Sequence, residues 1–277
     1  MLEPAEIGYR LDLLVWVAQH FLCPFEAYGL YRFQDRLSRG FPETRLGELK
    51  KQVKMGSFAM SMKFQEKPWI LIAECKLQSP AKGRFKHNYT VAQLARLYEE
   101  NGASMLSVHT DPHFLGKNED LVEVRELVDI PILRKDFIID EYQIYEARML
   151  GADAVLLIAR ILEPDQLKQY LYTAWKLGMD ALIEVHDQRD MEIALSTPAR
   201  FIGINNRNLQ LFKTTIDNTL ALLPYADRKR TLISESGIHT MEEVRLLHDA
   251  GLDGILVGEG LSTAEDVERQ TREFALM

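Results

Sequence analysis

The chain has 277 residues, of which 47% are hydrophobic and 27% are charged, and its formal net charge at pH 7 is −8. This is ordinary globular composition with enough apolar residues for a sizeable core, so disorder is not expected to dominate. The acidic balance argues against a nucleic-acid surface, although a local cluster of lysines and backbone N–H groups can still bind an anionic small molecule.

Few features of the sequence point to a metal, a disulfide or a membrane. The two cysteines, Cys23 and Cys75, form neither a CxxC pair nor a ligand cluster, and no HExxH motif occurs. The first residues lack the pattern of a signal peptide, and the apolar stretch 11–22 is too short and too polar to span a bilayer. We therefore expect a cytoplasmic protein without metal, cofactor, membrane or nucleic acid, existing as a monomer or weak homodimer.

From about residue 68, apolar runs typical of strands alternate with amphipathic segments typical of helices. The eight runs are Ile70–Cys75, Met105–Val108, Ile132–Leu133, Ala154–Ile158, Ala181–Val185, Phe201–Ile204, Thr231–Ser234 and Gly254–Val257. Several helical segments end in a glycine that is soon followed by the next strand. The pattern predicts an α/β fold, a closed (β/α)8 TIM barrel over residues 68–277. Residues 1–67 are predicted to form an N-terminal helical extension packed on the barrel within one structural domain.

A doubly wound open sheet is the alternative fold. Such sheets usually carry a glycine-rich dinucleotide loop after their first strand. Here the first strand is followed by residues 76–83, KLQSPAKG, which lack the GxGxxG spacing. The barrel is therefore favoured.

Polar residues recur where the predicted strands end, and barrel active sites lie at those ends. They are Glu74 and Lys76 at strand one, Lys135 at strand three, Glu184 at strand five, Asn205 and Arg207 at strand six, Ser236 and Gly237 at strand seven, and Gly258 and Glu259 at strand eight. Any one lysine or glutamate at a strand end is usually solvated or ion-paired. The whole set on one rim instead indicates acid–base chemistry on an anionic substrate.

The same rim predicts particular electrostatics. Two lysines close together are expected to lower each other's pKa, and a glutamate in a partly desolvated site is expected to have a raised pKa. The glycine-rich ends of strands seven and eight predict a phosphate site formed by backbone N–H groups.

The motifs at these strand ends resemble one family. Residues 72–83, IAECKLQSPAKG, look like the signature of the indole-3-glycerol-phosphate synthase family, in which IAE-x-K is followed by SPSKG. Further similar segments follow in order, namely 106–111 LSVHTD, 131–144 PILRKDFIIDEYQI, 182–187 LIEVHD, 202–209 IGINNRNL, 234–238 SESGI and 256–259 LVGE. The resemblance covers residues 70–262. It implies a carboxy-lyase that converts 1-(2-carboxyphenylamino)-1-deoxyribulose 5-phosphate to indole-3-glycerol phosphate, carbon dioxide and water during tryptophan biosynthesis.

The resemblance also implies roles for the catalytic groups. Lys135 matches the general acid that acts on the ribulose carbonyl, and Glu184 matches the glutamate of the dehydration steps. Lys76 matches a second lysine that binds anions and can donate a proton, while Glu74 and Asn205 match groups that orient the substrate and stabilise charge. We assign proton donation to Lys135 because its neighbours in the chain, Asp136 and Phe137, can hold it beside the substrate ring, whereas Lys76 has Glu74 on its own strand face as an ion-pair partner.

Other positions match residues of the family that bind the substrate. Arg207 and Ser79 match anion contacts, Ser236 matches a site residue near the phosphate, and Phe137 matches an aromatic contact of the anthranilate ring. Gly237, Gly258 and Glu259 lie where the phosphate-binding backbone of the family lies. The resemblance implies no cofactor.

A few positions depart from the pattern of the family. His109 stands where leucine is common, Leu115 where phenylalanine is common, Lys117 where serine is usual, and Ala81 replaces the second serine of SPSKG. We hypothesise that His109 lies near the aromatic ring of the substrate, since it ends the second strand. These departures bear on substrate affinity, and they leave open a specialised paralogue from a secondary-metabolite pathway.

Two other classes of function remain alternatives. One is another phosphate-binding barrel enzyme, such as phosphoribosylanthranilate isomerase or a class I aldolase that would use Lys135 or Lys76 as a Schiff-base amine. The other is a non-catalytic relative that binds an indole or anthranilate ligand. The paired lysines and glutamates argue against it, because a binding protein needs no proton donor and acceptor.

Overall fold

The computed structural model describes residues 43–79, 83–85, 89–208 and 213–276. Within them, eight parallel strands close into a barrel in the order β1-β8-β7-β6-β5-β4-β3-β2, with β2 paired to β1. The strands are β1 Ile70–Cys75, β2 Met105–His109, β3 Ile132–Lys135, β4 Ala154–Ile158, β5 Asp180–Val185, β6 Phe201–Asn205, β7 Thr231–Glu235 and β8 Gly254–Val257. The predicted TIM barrel is confirmed.

The observed strands run slightly further than the predicted apolar runs. β2, β3, β6 and β7 each include one or two polar residues at the carboxyl end. These residues still pair with the neighbouring strand, since His109 is in register with Lys135 and Glu235 is in register with Asn205. Hydropathy missed them because their side chains are polar: Arg134 is paired among the helices, and the others lie at the rim.

Helices connect the strands and form the outer layer. They are α1 Glu43–Gln52, α2 Ala59–Glu66, α3 Val91–Glu100, α4 Asn118–Leu127, α5 Glu141–Met149, α6 Pro164–Lys176, α7 Gln188–Leu195, α8 Asp217–Leu222, α9 Met241–Asp249, α10 Glu259–Ser262 and α11 Val267–Ala275. The predicted glycine stops follow α3, α5, α6 and α9 at positive φ, at Gly102, Gly151, Gly178 and Gly251. Two antiparallel ribbons join Gln78–Ser79 to Gly83–Arg84 and Arg207–Asn208 to Lys213–Thr214.

The barrel interior is filled by apolar side chains from every strand. They are Ile70, Ile72, Met105, Leu133, Ala154, Leu156, Ile158, Leu182, Phe201, Ile233 and Leu256. A second and larger core lies between the strands and the helices. The interior below the rim is therefore largely apolar, and the inward-pointing polar side chains that end the strands meet at the carboxyl end of the barrel.

Helix α2 covers the opposite end of the barrel. Its Met60 is completely buried in the interior cluster. Ser61 donates from its backbone N and its Oγ to the two carboxylate oxygens of Asp180, at 2.8 and 2.6 Å. Phe64 packs on Phe201 with ring centroids 5.1 Å apart. Of the predicted extension, residues 1–42 lie outside the described residues; α2 makes the contacts above, and Lys50 of α1 pairs with Glu141 of α5 at 3.3 Å. No helix in the described part of the chain has the length and apolar character needed to cross a membrane.

Candidate active site

One cluster of charged side chains at the rim is centred on Lys135. Its Nζ lies 2.7 Å from Oε2 of Glu235 and 3.1 Å from Oε2 of Glu184. The three side chains come from β3, β7 and β5, and all are largely buried, with side-chain exposures of 13%, 0% and 7%. An ammonium group held between two buried carboxylates forms a preorganised site for proton transfer.

Strand alternation explains why these side chains converge. Leu133, Leu182 and Ile233 point into the barrel, so the residues two positions later also point inward. Those residues are Lys135, Glu184 and Glu235.

The outward-facing neighbours of Lys135 form a separate network. Arg134 is completely buried against the helices and donates to Asp136 at 3.0 Å, to Glu146 at 2.8 Å and to Thr110 at 2.9 Å. We had expected Asp136 to help hold Lys135. That expectation is wrong, because Asp136 lies on the opposite face of the strand and pairs with Arg134.

The charges around Lys135 differ from the predicted electrostatics. Burial by itself would lower the pKa of Lys135, but Glu235 and Glu184 outweigh it and raise that pKa. Burial would likewise raise the pKa of Glu184, but Lys135 and His186 hold it below its ordinary value. The expected lowering of the Lys135 pKa is therefore wrong, as is an expected rise for Glu184. Both shifts arise from the direct pairing of Lys135 with Glu184; Glu235 adds to the rise for Lys135, and His186 adds to the lowering for Glu184.

Glu235 carries the raised carboxyl pKa that was expected in this site. Burial, together with the nearby carboxylate of Glu184, raises the pKa of Glu235 to about 7 although Lys135 opposes the shift. A methyl group at Gly203 would lie 1.8 Å from Oε1 of Glu235, so the glycine on β6 makes room for this carboxylate. The signal that could have found Glu235 is its spacing of two residues from the apolar Ile233.

His186 follows β5 and contacts Glu184 from the side away from Lys135. Its Nε2 lies 3.3 Å from Oε1 of Glu184, and its Nδ1 lies 3.5 Å from Oδ2 of Asp190. Arg160 donates to the same Asp190 oxygen at 2.8 Å. Each carboxylate oxygen of Glu184 therefore has a polar partner, Lys135 at one and His186 at the other, and these contacts restrict its rotation.

A second polar cluster surrounds Glu74 at the end of β1. Nζ of Lys76 lies 3.5 Å from its Oε2, and Nε2 of His109 lies 2.9 Å from its Oε1. Burial alone would raise the pKa of Glu74, but Lys76 and His109 hold it well below its ordinary value. Burial lowers the pKa of Lys76 and outweighs Glu74, and the cations Arg207 and Lys135 lower it further. The predicted ion pair and the predicted lowering of the Lys76 pKa are both present.

Asn205 and Arg207 lie on the loop side of β6. The Oδ1 of Asn205 accepts from the backbone N of Arg207 at 3.0 Å, and its carbonyl accepts from Asn218 at 2.8 Å. Asn206 points the other way and is completely buried, donating to Ser234 Oγ and to the carbonyl of Ser236 at 2.9 Å each. Asn206 thus ties the ends of β6 and β7 together.

The turns after β7 and β8 touch each other. Ser236 and Gly237 have φ values of 68° and 70°, so two successive residues adopt the left-handed conformation that non-glycine residues rarely adopt. A methyl group at Gly260 would lie 2.0 Å from the carbonyl oxygen of Ile238, and one at Gly258 would lie 1.9 Å from Oε2 of Glu74. Gly258 therefore makes room for a site carboxylate in addition to any part in binding phosphate.

The remaining predicted site residues lie around these clusters. Phe137 is partly exposed and packs on the top of the interior cluster, and Glu259 begins α10 close enough to Lys76 to favour its charged form. The side chain of Ser79 lies outside the described residues. Of the departures from the family pattern, Leu115 is exposed with φ 61°, and Lys117 pairs with Asp120 at 3.7 Å on α4. Within the described ranges, no group of three or more His, Cys, Asp or Glu side chains is arranged to hold a metal ion.

Comparisons with known proteins show which family this chain is similar to. The family model for indole-3-glycerol phosphate synthase matches residues 36–274. The indole-3-glycerol phosphate synthase of Dehalococcoides mccartyi (strain CBDB1) is 40% identical over 244 residues, which are 87% of this chain and 94% of that protein. The one from Neisseria meningitidis serogroup B (strain MC58) is 46% identical over 201 residues, covering 72% and 77%.

Solved structures add support for the fold alone. The 3-hexulose-6-phosphate synthase from Salmonella typhimurium has a TM-score of 0.59 at 16% identity, covering 74% of this chain and 96% of that chain.

Proposed function

Because the chain belongs to the indole-3-glycerol phosphate synthase family, we propose that its rim clusters carry out the steps of the family's reaction. The protein is a carboxy-lyase of tryptophan biosynthesis that acts on a phosphorylated small molecule. Its reaction closes a pyrrole ring by joining an aromatic carbon to the ribulose carbonyl carbon, then releases carbon dioxide and water. Ring closure and dehydration each move a proton, and a proton donor and acceptor are therefore required.

Lys135 is our candidate for the proton donor in ring closure. Its ammonium group lies between Glu184 and Glu235, and their charges keep it protonated at neutral pH. As the new carbon–carbon bond forms, the carbonyl oxygen gains negative charge and takes a proton from Lys135. Protonation of Glu235 near neutrality removes one negative charge beside Lys135 and so makes it a better donor.

Glu184 is our candidate for the proton acceptor in dehydration. Its carboxylate stays ionised because Lys135 and His186 hold its pKa low. Once Lys135 has given up its proton, Glu184 loses its positive partner and becomes a stronger base. Glu184 accepts the proton lost from a carbon of the new ring and passes it to the departing hydroxyl group, which leaves as water, and Lys135 regains its proton from solvent. Lys76 stabilises the departing hydroxyl group or the substrate carboxylate, with Glu74 and Asn205 orienting the substrate.

The anionic ends of the substrate need separate partners. We assign Arg207, Ser79 and Lys76 to the carboxylate and phosphate. The N–H groups near Ser236, Gly237, Gly258 and Glu259 are assigned to the phosphate, since the turns after β7 and β8 lie against each other. Phe137 is assigned to the anthranilate ring, and His109 to its neighbourhood.

The observation that carries these assignments is the buried Lys135–Glu184–Glu235 cluster. Its test is a steady-state assay with 1-(2-carboxyphenylamino)-1-deoxyribulose 5-phosphate, following the fluorescence of the indole product, on the wild type and on Lys135→Met, Glu184→Gln and Glu235→Gln. Loss of turnover in all three is expected. Full activity of any one would remove that residue from the mechanism.

A Schiff-base reaction is the alternative use of the lysines. Borohydride added with substrate would trap an imine as a stable adduct on the protein. We expect no adduct, because Lys135 is held as an ammonium, which is not a nucleophile, and Lys76 is ion-paired with Glu74 at 3.5 Å.

We also propose that the enzyme works in the cytoplasm as a monomer or weak homodimer. Sedimentation at several protein concentrations, combined with the activity assay, tests the oligomeric state.

A further inference from the structure

His109 makes two close contacts at the end of β2. Its Nε2 lies 2.9 Å from Oε1 of Glu74, and its ring stacks on Phe114 with centroids 4.1 Å apart and planes 18° from parallel. The side chains of His109 and Glu74 are only 5% and 6% exposed. A hydrogen bond between two such buried groups has no water to replace it if one partner is removed.

These contacts are part of a closed ring of four side chains. Nζ of Lys76 lies 5.3 Å from the centroid of the Phe114 ring, within the range of a cation–π contact, and 3.5 Å from Oε2 of Glu74. Glu74 therefore binds His109 through one oxygen and Lys76 through the other. Phe114 connects His109 back to Lys76.

The Glu74 carboxylate has little room to move within this ring. The close approach of its Oε2 to the backbone at Gly258 blocks one side. Loss of the donor at Oε1 would leave a buried, charged oxygen without that partner, so the carboxylate would rotate or take up a proton. Either change would also disturb Lys76, whose charged form Glu74 favours.

We propose that His109 is a positioning residue for the reaction, which as a neutral imidazole donates its Nε2–H to Glu74 and thereby holds Glu74 and Lys76 in their working arrangement. This inference rests on the proposed roles of Glu74 and Lys76. It gives His109 a function through Glu74, beyond the ring contact expected from the sequence.

The charges near the cluster support a neutral imidazole. Burial lowers the pKa of His109 and outweighs the nearby Glu74. Glu74 is faced by Lys76 on its own strand, by His109 from β2 and by Lys135 from β3. Lys76 is faced in addition by Arg207 after β6 and Glu259 after β8. Since His109 helps to lower the pKa of Glu74, removing its N–H raises that pKa.

The test compares His109→Leu, which removes the donor, with His109→Gln, which keeps an N–H donor on a flexible side chain. His248→Leu is the matched control, because this imidazole packs edge-on against Trp69 outside the barrel, with ring centroids 5.4 Å apart. Steady-state kcat and KM, the pH profile of kcat and thermal unfolding are measured for each. Thermal unfolding identifies any variant that has lost the fold.

We expect His109→Leu to lower kcat about tenfold, the size of one lost hydrogen bond to a charged group. The acidic limb of its kcat profile should move to higher pH, because Glu74 then protonates more readily. His109→Gln should recover most of kcat, and His248→Leu should behave as the wild type.

Two results would overturn the inference. One is an unchanged kcat and acidic limb in a folded His109→Leu variant. The other is a His109→Gln variant no better than His109→Leu with only KM altered, which would make His109 a direct substrate contact. A Glu74→Gln variant distinguishes failure of the inference about His109 from failure of the proposed function. If Glu74→Gln is fully active, the role of Glu74 is wrong and the inference falls with it, whereas an impaired Glu74→Gln beside an unaffected His109→Leu overturns the inference alone.

Discussion

The ammonium nitrogen of Lys135 lies 2.7 Å from a carboxylate oxygen of Glu235, and the Glu235 side chain is completely buried. Lys76 differs, because its partner Glu74 lies at 3.5 Å and burial lowers the pKa of the lysine. The two lysines of the rim therefore sit in opposite electrostatic environments, and this difference underlies the first prediction.

Lys135→Met should abolish nearly all turnover, by on the order of a hundredfold or more, the usual size of a general-acid contribution. Lys76→Met should weaken binding more than it slows chemistry, because Lys76 is assigned to anion contacts. Single-turnover kinetics at saturating substrate separate the two effects. A larger loss of the chemical step in Lys76→Met would reverse the assigned roles.

The free energy of unfolding of Glu235→Gln, relative to that of the wild type, should be higher at pH 8 than at pH 5. The pKa of Glu235 is raised in the folded protein to about 7. Stability from that shift is present below the unfolded pKa and is lost as pH rises through the folded value, since ionising Glu235 then costs energy only in the folded state. The glutamine cannot ionise, so its advantage in free energy of unfolding should grow by on the order of 1–3 kcal/mol between these pH values. Urea unfolding at both pH values measures it. An advantage that is the same at both would show that Glu235 does not titrate in this range.

Gly203→Ala should lower turnover at least tenfold and destabilise the fold by about 1–3 kcal/mol, because its methyl group would lie 1.8 Å from the Glu235 carboxylate. Gly47→Ala is the control. Gly47 is an exposed glycine of α1 with no atom within 4 Å of the added methyl group, so this change should stabilise by about 0.5–1 kcal/mol and leave kinetics unchanged. The free energy of unfolding in urea and the steady-state kinetic constants are measured for both variants. Wild-type turnover in Gly203→Ala would mean that the position of Glu235 is not critical.

Activity should survive exhaustive chelation. The sequence offers no metal motif, and the chemistry assigned here uses ammonium and carboxyl groups. The assay is run after dialysis against a strong chelator, with and without added divalent ions. A loss of turnover that a divalent ion restores would contradict this prediction.

Inorganic phosphate and sulfate should compete with the substrate. The phosphate group of the substrate is expected to bind at the turns after β7 and β8 and to contribute most of the binding affinity. Competition is read from KM at fixed ionic strength, with chloride as the control anion. Equal affinity for a dephosphorylated substrate would argue against this site.

The order of elements and the identity of the family were accessible from the sequence. The alternation of apolar runs predicted all eight strands, and ordered motifs such as 131–144 indicated the family that the comparisons show. Both are properties of the linear chain, since side-chain periodicity and motif order are read residue by residue. The spacing of two residues between Ile233 and Glu235 also indicates that Glu235 points into the barrel, but the prediction from the sequence named the adjacent Ser236 and Gly237 instead.

The electrostatics of the site depended on the tertiary structure. The sequence alone predicted lowered pKa values for both lysines, yet the pKa of Lys135 is raised and only the pKa of Lys76 is lowered. Glu184 and Glu235 are far from Lys135 along the chain, and closure of the barrel brings their carboxylates within 3.1 Å of its ammonium group. The same is true of His109, whose contact with Glu74 depends on the pairing of β1 with β2. A pKa is set by burial and by charges a few ångströms away through space, and those distances exist only once the strands are in register.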